Sequence, residues 1–390
     1  MESNPMKSRT KKRKILYISG SRADFGLMKQ TLRNIKDHPK LTLEIAATGM
    51  HLMDEFGRTV SEIRNDGFKV REIKATYDNN NKGSMTDFIG TFMLKISKTI
   101  ASSKPDIILL LGDRAEMLGA AIAGAYLAIP VAHIHGGDIS STADDTVRHA
   151  ITKLSHIHFP ATKRSAERIT GMGERKNRIF ITGAPGLDDI FSGSYTSPID
   201  ISRKYNLDLS KPVLVVIQHP VTNEIEMSAR QMSETMESIK ELGQQSIVIY
   251  PNADAGSRPM IKVIEKYRKY QNIRIFRNIP RQDYIGLMKV ASALIGNSSS
   301  GIIESASFRL PAINIGSRQN GRERYQNVTD VLHNKKQITA SIRKALFDKT
   351  FLQKIKRCRN PYGNGKAGIK IADVLSRIEM DKDFLQKSSL

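Results

Sequence analysis

Short runs of near-continuous Val, Ile and Leu alternate with amphipathic stretches from one end of the chain to the other. Runs without polar alternation are what strands need when helices cover both faces of a parallel sheet. Lys14–Gly20 reads as a buried strand, followed by a helix over about Phe25–Lys36. Leu41–Thr48 is the next strand, and Asp106–Gly112 is the clearest one in the first half. A helix of small residues, Ala115–Leu127, leads through Pro130 to a strand at Val131–His135. A helix over about Thr142–Ser155 and a strand at Arg178–Thr182 complete this half. Gly183–Ser210, rich in Gly, Ser, Pro and Asp, reads as a linker. A second βα series then runs through strands at Val213–Ile217, Ser246–Tyr250, Ile273–Phe276, Ala293–Ile295 and Ala312–Ile315. After the turn cluster Pro361–Gly365, Ile369–Ile378 looks helical. The pattern predicts two doubly wound α/β domains with a cleft between them.

Composition narrows the class. The 390 residues are 39% hydrophobic, enough for large cores, and mixed charge argues against wholesale disorder. One cysteine, Cys358, excludes an intramolecular disulfide and a Cys-based zinc cluster. The longest apolar run, Gly119–Ala132, is too short to span a bilayer, and the N-terminus lacks the apolar segment of a signal peptide. The expectation is a soluble, cytoplasmic protein with no membrane partner. Net charge is +22; the six basic residues against Glu2 in the first fourteen positions account for +5 of it, leaving +17 elsewhere. Such an excess suits anionic partners such as nucleic acid, anionic lipid or a phosphorylated substrate, and it equally suits a generally basic or salt-adapted chain.

In open parallel sheets ligands bind beyond the carboxyl ends of the strands. Those ends carry Gly20–Asp24, Gly112–Glu116, His133–Asp138, Gln218–Thr222, Asn252–Gly256 and Gly296–Gly301. Six polar ends, five of them glycine-bearing, are more than packing demands. Gly296-Asn-Ser-Ser-Ser-Gly301 precedes a helix expected at Ile302–Phe308, whose free N–H groups could hold a phosphate beside Ser298 and Ser299. It has neither the Walker nor the dinucleotide spacing, and a plain Ser cap is the bland alternative. Arg318 and Arg322 lie just past the following strand, within reach of a diphosphate. Five of the nine histidines fall within residues 133–158. His133 and His135 would share a strand face, which raises a metal pair, but hydrogen-bonded structural or catalytic imidazoles fit better because no third-ligand spacing follows. Asp113, Asp144 and Asp145 each admit a capping role.

Taken together the motifs resemble those of the hydrolysing UDP-N-acetylglucosamine 2-epimerases. The resemblance runs from about Lys14 to beyond Gly365 and rests on seven segments in order. They are Gly20-Ser-Arg-Ala-Asp24, Gly112-Asp-Arg114, His133-Ile-His-Gly-Gly137, Asp144–Lys153, His219-Pro220, Gly296–Gly301 and Asn314–Gln319. It implies a GT-B-like arrangement of two Rossmann-like domains, residues 14–190 and 191–368, with 369–390 crossing back onto the first and a basic tail at 1–13. It implies a reaction without metal or other cofactor: UDP-N-acetylglucosamine and water give N-acetylmannosamine and UDP, in sialic acid biosynthesis. Asp113, His135 and Asp144 match the catalytic positions; which of them removes the C2 proton is open, since other members carry Glu where His135 stands. Arg22, Arg114, His219, Asn252, Ser298, Ser299 and Arg318 match UDP-contacting positions, Glu304 matches the ribose-binding carboxylate, and Arg148 joins the substrate-binding set. A homo-oligomer, dimer or tetramer, is implied.

Three other readings stay open at this level. The same reaction on UDP-2,4-diacetamido-2,4,6-trideoxy-glucose, in legionaminic acid biosynthesis, would use nearly the same motifs. A GT-B glycosyltransferase would bind UDP in the same crevice but would need an acceptor. A nucleic-acid-binding protein is prompted by the charge alone; the absence of Trp, 6% aromatic content and the lack of a binding motif argue against it.

Overall fold

Apolar runs covered on both faces build two six-stranded parallel sheets. The computed structural model describes residues 12–54, 57–77, 82–140, 144–252, 256–381 and 383–387. The basic tail, apart from its last two residues, lies outside them. The first sheet contains β1 (Arg13–Ser19), β2 (Leu41–Ala47), β3 (Val70–Glu72), β4 (Ile107–Leu111), β5 (Val131–Ile134) and β6 (Ile157–Phe159), ordered β3-β2-β1-β4-β5-β6. The second contains β7 (Val213–Ile217), β8 (Gln245–Ile249), β9 (Ile273–Phe276), β10 (Ala293–Gly296), β11 (Ala312–Ile315) and β12 (Val328–Val331), ordered β12-β11-β10-β7-β8-β9. Read from the opposite edge, the second repeats the first. Each strand order reverses once, between β1 and β4 and between β7 and β10, and these are the points where a doubly wound sheet opens a crevice.

The helices follow the expected amphipathic logic. Arg22–Asp37 starts at a capping box in which Ser21 and Asp24 satisfy each other's backbone N–H groups. It buries Phe25, Met28, Leu32 and Ile35 on one face, against β1 and β2. Phe88, Phe92, Ile96, Met117 and Ala120 cover the other face of the sheet. The second lobe is likewise sandwiched between two apolar layers.

Gly183–Ser210 is not an open linker. It folds into short helices at Pro185–Leu187, Asp188–Ser192 and Pro198–Tyr205, and Leu187, Ile190, Ile201 and Tyr205 are buried in the second lobe's core. Turn-forming residues masked apolar anchors spaced too irregularly for a periodicity search. Arg178–Thr182 is not a strand either: Lys176–Arg178 makes a 3-10 turn and a single bridge joins Ile179 to His158. The helix expected at Ile302–Phe308 is a four-residue turn, Ser300–Ile303, continued by a 3-10 turn, Ser305–Phe308. The sheets also include β3, β6 and β12, which are too short or too polar to stand out in the sequence.

The chain passes between the lobes twice, at adjacent places. Ala184 N–H donates to Tyr362 O at 2.7 Å, and a side chain at Gly183 would come within 2.8 Å of that carbonyl. Asp188 accepts from the N–H groups of Ala367 (3.0 Å) and Gly368 (2.6 Å), the free donors at the start of the helix Ala367–Arg377. That helix packs on Arg22–Asp37, and Arg13 ties its end through Leu375 O and Ile378 O. A Cβ on Gly368 would sit 2.7 Å from Asn34 Nδ2 and 2.8 Å from Thr31 Cα. Gly368→Ala is expected to cost about 1–3 kcal/mol in urea unfolding. Gly26→Ala, at a half-buried position of the partner helix where an added Cβ meets nothing within 4 Å, should be neutral or stabilising by about 0.5–1 kcal/mol. Equal midpoints for the two variants would contradict this close packing.

Candidate active site

The first switch point is built on a buried carboxylate. Asp24 accepts from Gly20 N–H (3.0 Å), Ser21 N–H (2.7 Å), Ser21 Oγ and Ser19 Oγ, so the turn after β1 is wound around one side chain. Burial pushes the Asp24 carboxyl up, against the pull of those donors. Ser19 Oγ lies 2.9 Å from His51 Nε2, and desolvation lowers that imidazole to about 4. Gly20 leaves room for Glu116, whose carboxylate would occupy the place of any Cβ there. Glu116 is 1% exposed and pairs with Arg114, which also donates to Tyr77 OH at 3.3 Å. Burial pulls the Arg114 guanidinium down but Glu116 outweighs it, so its charge is fixed. Arg22 begins the first helix, half-exposed, and pairs with Glu62 at 3.0 Å.

Asp113 and His135 come together because β4 and β5 are neighbours: Leu111 pairs with Ile134 and Gly112 N–H donates to Ile134 O at 3.0 Å. Each stands just past its strand. Arg148, on the helix Asp144–Leu154, is 2% exposed and donates to Asp113, to Asp145 (2.6 Å), to Asp138 O (3.0 Å) and to Ser140 Oγ (3.3 Å). Its guanidinium is spent within the protein. Arg148, expected in the substrate-binding set, is a buried cation beneath the carboxylates. Asp145 is held below the usual carboxylate range, because the Ser140 N–H and hydroxyl and Arg148 more than offset burial. Asp144 opens the same helix, and its side chain lies outside the described residues.

His133 and His135 do not share a strand face. β5 ends at Ile134, and His135 turns out of it with φ +63°. His135 Nδ1 meets Asp138 at 3.0 Å, whereas His133 Nε2 donates to Gly112 O at 2.7 Å and its Nδ1 lies 3.2 Å from Thr152 Oγ1. Among the described residues, no group of three or more His, Cys, Asp or Glu side chains is placed to hold a metal ion. Among the described residues, no helix is long and apolar enough to cross a membrane.

At the second switch point Asn297, fully buried, joins the ends of β7 and β10. Its Oδ1 accepts from His219 N–H (2.7 Å) and its Nδ2 donates to His219 O (2.9 Å). Its own carbonyl accepts from Gln319 (2.9 Å) and Arg318 (3.3 Å). Only glycine fits at 296, where φ is +126° and a Cβ would lie 2.0 Å from Ile217 O. His219 Nδ1 accepts from Asn252 N–H at 3.0 Å; desolvation, then Arg318, lowers the ring to about 3 and keeps it neutral. Ser298 and Ser299 are half-buried at the turn into Ser300–Ile303. A helix this short contributes individual N–H groups rather than a macrodipole. Glu304 is 3% exposed, and both its oxygens accept from Arg281; a ribose could reach only its remaining lone pairs. The signal for Asn297 was present in the Gly296–Gly301 motif, but its backbone-bridging role was not. Asp138 entered only as the last residue of the His133–Asp138 strand end, and Arg281 gave no signal.

The two edges meet. Gly186 lies between Leu27 of the first helix and the Glu304–Arg281 pair, and Asp138 feels the charge of Arg322 from the other lobe.

Burial makes His133 neutral, lowering it to about 3. Unfolded chain takes up protons below about pH 6.5 that this ring refuses when folded, so stability must fall as pH falls from 6.5 toward 3. His51 and His219 act in the same sense; Asp24, raised by burial, acts in the opposite one. His133→Gln keeps a donor for Gly112 O and should flatten the slope of urea stability between about pH 7 and 5 by up to about 1.4 kcal/mol per pH unit. An unchanged slope would show the ring to be titrating normally.

Residues 33–376 match the family described as UDP-N-acetylglucosamine 2-epimerase. The chain is 40% identical over 376 residues to a hydrolyzing UDP-N,N'-diacetylbacillosamine 2-epimerase of Legionella pneumophila, covering 96% of this chain and 98% of that one. It is 34% identical to the UDP-N-acetylglucosamine 2-epimerase of Neisseria meningitidis, over 85% and 87% of the two chains. Among solved structures, UDP-GlcNAc 2-epimerase from Neisseria meningitidis bound to UDP-GlcNAc superposes with a TM-score of 0.80 over 93% of this chain and 99% of that one, at 17% identity. The Methanocaldococcus jannaschii enzyme in complex with UDP-GlcNAc and UDP gives 0.75 over 93% and 99%, at 18% identity. At these identities the superpositions speak to the fold, which is GT-B-like. The sequence matches reach further: this chain belongs to the hydrolysing UDP-N-acetylglucosamine 2-epimerase family and is a UDP-sugar 2-epimerase.

Proposed function

We propose that the protein expels UDP from a UDP-2-acetamido sugar, adds water to the resulting 2-acetamidoglucal, and releases the C2 epimer of the free sugar. The observation that carries this reading is the juxtaposition of Asp113 and His135 on adjoining strand ends, above a buried Arg148. A C2–H bond next to no carbonyl is hardly acidic, and its proton leaves only as the C1–O bond to UDP breaks. That demands a base near C2 and cations with N–H donors at the departing diphosphate. Asp113, His135 and Asp144 are the proposed proton-transfer groups. Arg148 fixes the direction of Asp113 without touching the sugar. Arg22, Arg114, His219, Asn252, Ser298, Ser299 and Arg318 are proposed to hold the UDP, with Glu304 beneath the ribose. Because His219 is kept neutral, it supplies a hydrogen bond rather than charge, and the charge comes from the arginines.

The relative at 40% identity is named for UDP-N,N'-diacetylbacillosamine, the diacetamido-trideoxy sugar nucleotide, and that relative is matched almost end to end. We take this as the favoured substrate. UDP-N-acetylglucosamine, giving N-acetylmannosamine for sialic acid synthesis, is the second reading, favoured by the Neisseria meningitidis relative.

The test is incubation with each sugar nucleotide in deuterated water with EDTA, following UDP release and label at C2. Free 2-epimer carrying deuterium at C2, formed at a higher kcat/KM from the diacetamido substrate, is expected. UDP release with an unlabelled, unepimerised sugar would overturn the reaction. Asp113→Asn should lower kcat by about 10²–10⁴-fold with UDP affinity nearly unchanged. Arg318→Ala should instead weaken UDP binding by about tenfold or more; unaltered affinity by calorimetry would remove Arg318 from the nucleotide site.

A further inference from the structure

We infer that Asp138 is a positioning residue for His135: it fixes the proton on Nδ1, so that the ring works from a bare Nε2 facing the cleft. The inference rests on the proposed role of His135 and goes beyond it to the group that sets the state of the ring.

The geometry is built from three sides. His135 follows β5 directly, its N–H donating to Phe159 O at 3.1 Å, and takes a left-handed φ of +63°. A non-glycine residue in that region costs about 1–2 kcal/mol, so the turn is held rather than relaxed. What holds it is the helix Lys163–Gly171. Gly137 (φ +74°) is pressed against it so closely that a Cβ would lie 2.4 Å from Ser165 O. Arg168 donates to Gly137 O, and Arg148 donates to Asp138 O. The Asp138 carboxylate is thereby drawn inside, 5% exposed, with each oxygen assigned. Oδ1 accepts from Ser165 Oγ at 2.7 Å, and Oδ2 meets His135 Nδ1 at 3.0 Å. Burial would raise this carboxyl, but His135, Arg322 and Ser165 hold it far below the usual range.

An ionised carboxylate has no hydrogen to give. The hydrogen in the contact therefore belongs to Nδ1, and the neutral imidazole has its lone pair on Nε2. Nε2 has no hydrogen-bond partner among the described residues, and the His135 side chain is 15% exposed. His133 is the internal control: its Nε2–H is given to Gly112 O, and burial leaves it with no part in proton transfer. Two histidines two residues apart thus hold opposite tautomers, each set by its acceptor. The other charged groups around the dyad are Arg148, Arg168, Arg322 and Asp113, and Tyr362 borders Asp138 from the second crossing segment.

Replacing Asp138 by Asn keeps shape and reverses this logic. Ser165 still donates to Oδ1, leaving the amide NH₂ toward Nδ1; the ring must then accept there and carry its hydrogen on Nε2. The experiment is long-range ¹H–¹⁵N correlation of histidine-labelled protein at about pH 8.5, where an ordinary imidazole is neutral, with His135→Gln assigning the signal. Wild type is expected to show the Nδ1–H tautomer, and Asp138→Asn the Nε2–H tautomer. Turnover of the variant should fall by about 10²–10⁴-fold in kcat, with KM within about threefold. An Nε2–H tautomer in wild type overturns the inference with no variant needed, as does an Asp138→Asn enzyme with wild-type kcat. The tautomer is read without substrate. Wild-type protein that shows Nδ1–H yet converts no UDP-sugar would overturn the proposed reaction while leaving the dyad in place.

Discussion

Two parallel sheets share one cleft only if the chain joining them is held at the crossing. Here Asp188 does this, by taking the two free N–H groups that begin the last helix. It sits on the outward segment and its partners on the returning one, so a single carboxylate staples both passages of the chain. Burial raises that carboxyl while the two N–H donors lower it. Gly183 and Gly368 remove the side chains that would force the passages apart. The strand-end loops of both lobes, and everything proposed for them, depend on that alignment.

Within the first lobe one buried cation organises the acids. Desolvating a guanidinium costs several kcal/mol, and only well-aligned partners offset it. Arg148 has Asp113 and Asp145 as counter-ions and two neutral acceptors besides. This arrangement orients Asp113 by its neighbour rather than by solvent, which is what proton transfer at a fixed carbon requires. The second lobe uses a different device. Asn297 makes reciprocal backbone bonds to His219, so the loops at this switch point are fixed by neutral hydrogen bonds.

The histidines show how one residue type is divided among tasks by burial. His51 and His133 lie inside, and desolvation keeps them uncharged. His135 lies at the rim with a carboxylate on one nitrogen. The first two tie loops together; the third is the one proposed for proton transfer.

The sequence alone determined the class of fold and the strand ends at which polar residues collect. Parallel strands buried on both faces must be continuously apolar, and their carboxyl ends must then hold the polar residues. This is why Asp113, His135, His219 and Ser298 were legible, and why the motif order pointed to the family. Local pattern could not reveal partners distant in the chain. The resemblance put Arg148 in the substrate-binding set, whereas its engagement with Asp113, 35 positions away, exists only once β4 and the helix Asp144–Leu154 are packed. Gly183–Ser210 read as a linker because turn residues dominate it, yet its apolar anchors find a core supplied by the second lobe. The pairing of His133 and His135 on one face failed for a similar reason: the strand ends between them, at a turn imposed by another helix. Spacing fixes what is near in the chain, and tertiary packing decides which charges are neutralised, which nitrogens are free and which loops face each other.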